Sequence, residues 1–260
     1  MSTQPTLLYY DLHEDVVAFS TTRRGGFSTG SYAEFNINHY CGDDEKAISK
    51  NRQLLCQLLG VSDERLIMPH QVHLTETAQI DETFFSLSEN ERKARLEGID
   101  AVMTNLSGVC IGVSTADCIP LLVYDPRQHV AAAIHAGWRG TVRRIAEQTI
   151  RQMTAAYGSR PEDMLLQIGP GISLDSFEVG DEVYDAFFQA GFDMTGISQK
   201  QTKWHIDLPV CNRLQLIAAG LKPEHISMSD ICTYKMHDTF FSARRLGINS
   251  GRIFTAIMLK

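Results

Sequence analysis

None of the six cysteines, at 41, 56, 110, 118, 211 and 232, stands in a C-x-x-C pair. That scatter excludes a disulfide framework and suits a reducing cytoplasm. The nine histidines include no H-x-H pair, the pattern that trinuclear copper clusters commonly use. No apolar run is long enough to cross a membrane, and none is expected to. Met1-Ser2-Thr3-Gln4-Pro5 has neither a cationic region nor an apolar stretch, so a secretory signal is not expected there. Positive charge is in deficit: the formal net charge is -7 and no basic block occurs, which argues against nucleic acid as a main partner.

What is present is ordinary globular material, 43% hydrophobic and 21% charged, in a length that suits one large domain or two small ones. No linker, repeat or low-complexity segment divides it, so a single domain over residues 1–260 is expected. Strands are predicted at 7–12, 16–21, 66–68, 75–80, 101–104, 109–113, 164–168, 226–228 and 253–259. Helices are predicted at 45–59, 142–157, 180–190 and 208–219, with a short polar one opening at the capping-box spacing Ser88-x-x-Glu91. Asp43 and Asp44 can cap the first of these and Gly60 can stop it. Interleaved strands and helices, with several adjacent strand pairs, predict an α/β (α+β) class of layered mixed β-sheets flanked by helices. The long Gly/Asn/Tyr-rich stretch from Thr22 to Asp43 reads as a loop.

The stretch from Ser114 to Thr141 organises the rest. Two apolar strands flank the polar turn Asp125-Pro126-Arg127-Gln128, with Cys118 just before the first and His135 at the far end of the second. Paired as a hairpin, they bring thiol and imidazole together, which means a metal site or a Cys-His nucleophile pair. His73 is the candidate third ligand, with His70 as its rival. Two histidines and a cysteine with an open fourth position is an arrangement of catalytic zinc, and the same donors accept copper. Asp117 and Asp100 are candidates to orient a ligand, move a proton or serve as structural acceptors. Arg23, Arg24, Arg139, Arg244 and Arg245 sit beside small residues, which suggests an anionic ligand.

Several motifs occur in order along the chain: Thr22-Arg23-Arg24-Gly25-Gly26-Phe27-Ser28, Asn51-Arg52, Gln71-Val72-His73, Ala116-Asp117-Cys118-Ile119-Pro120, His135-Ala136-Gly137-Trp138-Arg139-Gly140-Thr141, Cys232-Thr233, Ser242-Ala243-Arg244-Arg245 and Gly251-Arg252. Together they resemble the YfiH-type family, also called laccase-domain or polyphenol oxidase proteins, over nearly the whole length. Leu74 stands where the family usually has glycine, and Ala243 where an aromatic is common. The resemblance implies a metal, usually zinc, on His73, Cys118 and His135. It also implies purine nucleoside chemistry: phosphorolysis of adenosine, inosine or methylthioadenosine, with some deamination of adenosine. Phosphorolysis calls for a cationic cradle, for which Arg24 with Gly25 and Gly26, Arg139 and Arg245 are candidates. Deamination calls for an activated water and a proton carrier, for which Asp117 is a candidate. Cys118, Asp117 and Arg139 are accordingly the expected catalytic set, in a cytoplasmic monomer without nucleic-acid or membrane partners. The alternatives are a copper-dependent polyphenol oxidase, a cysteine hydrolase editing peptidoglycan precursors through Cys118 and His135, and a non-catalytic protein with a structural metal.

Overall fold

The computed structural model describes residues 4–260. The chain opens with β1 (Leu7–Tyr10) and β2 (Val16–Thr21), paired antiparallel. A long loop leads to α1 (Glu45–Leu59), where the Asp44 carboxylate accepts the N–H of Ala47 and Gly60 ends the helix at φ 70°. Next come β3 (Leu66–Ile67), β4 (Thr77–Gln79) and the short helices α2 (Glu82–Ser86) and α3 (Glu89–Arg95). The capping box predicted at Ser88 and Glu91 is present on α3. Then β5 (Ala101–Thr104) and β6 (Cys110–Thr115) lead into the central hairpin, β7 (Ile119–Asp125) and β8 (Val130–Ala136). The hairpin pairs in register from Ile119 opposite Ala136 to Asp125 opposite Val130. Its turn is closed by Asp125 Oδ1, which accepts the N–H groups of Arg127 and Gln128.

One predicted helix is broken. In place of a single helix over 142–157 there are α4 (Trp138–Val142) and α5 (Ile145–Tyr157), parted at Arg144, whose φ is 62°. Arginine has a good helix propensity, so the left-handed residue has no local signal. The chain continues with β9 (Leu165–Ile168), β10 (Glu178–Val179), α6 (Asp181–Gln189), β11 (Ser198–Lys200), β12 (Trp204–Ile206), α7 (Leu208–Ala218), β13 (Ile226–Met228), α8 (Ala243–Leu246) and β14 (Ile253–Leu259).

Two sheets form the body: a five-stranded one in the order β1-β2-β14-β6-β3 and a six-stranded one in the order β13-β9-β7-β8-β5-β4. A three-stranded sheet, β10-β12-β11, is separate. Strand alternation sorts side chains into layers. Ala131 and Ala133 of β8, Leu122 and Tyr124 of β7 and Ile257 and Leu259 of β14 pack between the two large sheets. The intervening residues face outward. Phe254 and Ala256 meet Leu55 and Cys56 of α1. Leu121, Val123, Ala132 and Ile134 meet Ile145, Ile150 and Met153 of α5 and Leu216 of α7. The order of layers is therefore helix, sheet, sheet, helix, as the mixed α/β expectation required.

Candidate metal centre

The chain passes from the five-stranded to the six-stranded sheet twice, through residues 68–76 between β3 and β4 and through residues 116–118 between β6 and β7. Each crossing carries one candidate ligand, and the two meet: His73 Nε2 lies 3.8 Å from Cys118 Sγ. The third comes from β8. Alternation puts His135 on the same face as Ala131 and Ala133, between the sheets, and the register sets it opposite Pro120, two residues on from Cys118. The ligand atoms of His73, Cys118 and His135 all lie within 4.8 Å of one another. The two imidazoles meet edge to face with centroids 4.7 Å apart.

Both crossings hold a non-glycine residue in the left-handed region, His73 at φ 64° and Asp117 at φ 96°. Each is held there by hydrogen bonds. The fully buried Asp100 accepts the backbone N–H groups of Val72 (3.3 Å), His73 (3.0 Å) and Leu74 (2.8 Å). The Asp117 carboxylate accepts Thr233 Oγ1 and the N–H of Arg244, both at 2.7 Å, and its carbonyl accepts the N–H of Ile172. Gln71 pins the first crossing to the end of β6, donating to the Ser114 carbonyl and accepting the Ser114 N–H.

Asp100 also accepts from His135 Nδ1 at 2.7 Å. An ionised carboxylate only accepts, so the Nδ1 of His135 carries a proton in either charge state, and once the ring gives up its other proton the Nε2 lone pair is left for the centre. Burial pushes the Cys118 thiol up, but the charge and hydrogen bond of His135, and those of His73, outweigh it and bring it well below the usual thiol range. Burial pushes His135 down, but the Cys118 and Asp100 charges and hydrogen bonds outweigh that and raise it. The thiolate is the form a metal takes. Space is kept as well: a Cβ on Gly137 would stand 3.0 Å from both Cys118 Sγ and His73 Cδ2. Donor types, their convergence, the set tautomer and the bare glycine all fit a zinc- or copper-sized ion.

His70 is drawn elsewhere. Its Nδ1 pairs with Glu97 at 2.7 Å and its ring stacks on Tyr40 with centroids 4.2 Å apart. It still lines the cleft of about 260 Å³ that the three ligands open into, beside Asn38, Tyr40, Cys41, Thr115, Ala243, Ile248 and Arg252. Arg24 and Gly25 border a different cavity, with Gln4 to Leu7 and Glu34. Gly26 packs against Asn51 and Glu34. Arg139 is exposed and lies over Trp138, and Arg245 is exposed and lies over Tyr234. Arg252 is the guanidinium in the cleft wall. It donates to the carbonyls of Ile248, Ser250 and Gly251, and no carboxylate pairs with it among the described residues. The Gly251-Arg252 motif was its only signal in the sequence; nothing local says that this arginine, rather than the others, faces the cleft.

Fold and site define a layered protein with a candidate three-ligand metal centre built where its two sheets exchange the chain. The chain belongs to the multi-copper polyphenol oxidoreductase laccase family, whose sequence model matches residues 17–260. It is 46% identical to a purine nucleoside phosphorylase of Bacteroides thetaiotaomicron, over 95% of this chain and 93% of that protein. It is 44% identical to adenosine deaminase RL5 of an unknown prokaryotic organism, over 95% of each. The crystal structure of YlmD from Geobacillus stearothermophilus superposes with a TM-score of 0.89 at 30% identity, over 96% of this chain and 94% of that one. The YfiH-type resemblance and the mixed α/β layers expected from the sequence are both borne out.

Proposed function

We propose that this chain is a zinc-dependent purine nucleoside phosphorylase, acting on adenosine, inosine or methylthioadenosine with phosphate, that also deaminates adenosine. One observation carries the reading: His73, Cys118 and His135 converge on a cleft in a chain so close to a phosphorylase and a deaminase. When bound, the metal supplies Lewis-acid chemistry and makes deprotonation of water easier near neutral pH. The chain's own residues do the rest. His73, Cys118 and His135 hold the ion, and Asp100 fixes the tautomer of His135 and the path of residues 72–74. Asp117 is assigned to proton transfer: its two accepted hydrogen bonds leave lone pairs free on both oxygens. For the phosphate we assign Arg252 ahead of Arg24, Arg139 and Arg245, because its guanidinium lines the cleft without a carboxylate partner.

All three ligands come from one chain, which supports action as a monomer. Six free cysteines support a reducing cytoplasm. No helix among the described residues is long and apolar enough to cross a membrane. The test is product analysis by chromatography. Zinc-loaded protein is incubated with each nucleoside, with and without phosphate, beside Cys118→Ala shown to be folded by circular dichroism. Free base that forms only with phosphate, inosine formed from adenosine, and neither with the variant are expected. Failure of the zinc-loaded protein to convert any of the three nucleosides sinks the reading.

A further inference from the structure

His70 lines the cleft without being a ligand, and it is held firmly there. Its N–H donates to the Leu96 carbonyl at 2.9 Å, and its own carbonyl accepts the Gly98 N–H at 3.0 Å. Its neighbour Gln71 is tied to Ser114 through both ends of its amide. The ring is fixed too, lying within 18° of parallel to Tyr40 and bonded through Nδ1 to Glu97. A carboxylate only accepts, so Nδ1 carries a proton. That leaves Nε2, which has no partner among the described residues. The side chain is 35% exposed, so a ligand in the cleft can reach it. An exposed ion pair of this kind adds only about 0–1 kcal/mol of stability, which is a weak reason to fix the ring so closely. An imidazole oriented by a carboxylate, with its other nitrogen open to a cavity, is the arrangement of a general acid or base.

In phosphorolysis a phosphate oxygen bonds to C1′ of the ribose as the bond from C1′ to N9 breaks. The electron pair of that bond goes to the purine, and the departing base is neutralised when N7 takes up a proton. We propose that His70 is the general acid of this step, giving its Nε2 proton to purine N7. The proton returns through water from the phosphate group, which enters as hydrogen phosphate and leaves as the ionised ribose 1-phosphate. The inference rests on the nucleoside reading given above and deepens it.

The test compares two nucleosides. Inosine needs the proton. In 7-methylinosine the purine already carries a positive charge and leaves without one. Phosphorolysis by zinc-loaded wild type, His70→Ala and His70→Gln is followed by chromatography, with zinc content and melting temperature as checks on the fold. Both variants are expected to lose about a hundredfold in kcat/KM on inosine. His70→Ala, which also makes room beside N7, is expected to cleave 7-methylinosine at least as well as the wild type does. Equal losses on the two nucleosides, or a His70→Ala protein that cleaves neither, would mark a structural role and overturn the assignment. So would an inosine rate that both variants leave unchanged. Wild-type protein that cleaves no nucleoside would overturn the functional reading itself, a separate result read before any variant is compared.

Discussion

Asp100 accepts four hydrogen bonds, from the N–H groups of Val72, His73 and Leu74 and from His135 Nδ1. Burial pushes its carboxyl up, but the hydrogen bond and charge of His135, with the backbone donors, bring it below the usual range, so it stays ionised. One side chain thus sets the tautomer of one ligand and the left-handed backbone of another. In Asp100→Asn an amide group would face N–H donors. Zinc affinity is expected to fall about 10- to 100-fold, read by competition with a chromophoric chelator. An affinity within twofold of the wild type would show that His135 needs no such support. The approach of Cys118 to His135 was legible in the sequence, because a hairpin brings its two open ends together; His73 was one of two candidates beside them, with His70, and only the family resemblance singled it out. The partner of Asp100 was not legible, since the Asp sits 35 positions from His135. For the arginines, residue type is silent on direction. It says that Arg24, Arg139 and Arg245 can grip an anion, but not which way they point, and the structure places them outside the cleft.

Elements whose boundaries are written in local chemistry appear where the sequence puts them. The helix expected at 45–59 is α1, because Asp44 supplies its first acceptor and Gly60 the left-handed stop. Asp44→Ala is expected to cost about 1 kcal/mol, a fall in melting temperature of roughly 2–4 °C for a chain of this size. Asp44→Ser should recover most of it. A melt unchanged by Asp44→Ala, followed by circular dichroism, would show that burial of Ala47 and Ile48 alone holds the start of the helix. Elements defined by partners were less legible. Residues 198–200, Ser-Gln-Lys, carry no apolar alternation and become β11 only by pairing with β12. The break at Arg144 is likewise tertiary: its guanidinium reaches the Ala190 carbonyl and lies over Phe192.

At the scale of the whole molecule, mixed layers follow from the interleaving of strands and helices, but strand order does not, because no local pattern says which strands become neighbours. That order decides the candidate site, since it carries the chain across the two sheets and brings His73, Cys118 and His135 together from three separate segments. A ligand that binds only the folded state stabilises it by mass action. Free zinc at a thousandfold excess over its dissociation constant would add about 4 kcal/mol, a rise on the order of ten degrees in melting temperature. The main cores lie between the sheets and under the helices and need no metal, so chelator-treated protein should keep its far-ultraviolet circular dichroism and melt at a lower temperature. Cys118→Ala should melt at a temperature nearly independent of zinc. A wild-type melt that ignores zinc, or an equal rise in the Cys118→Ala variant, would place the ion away from the crossings and remove the physical basis for the centre.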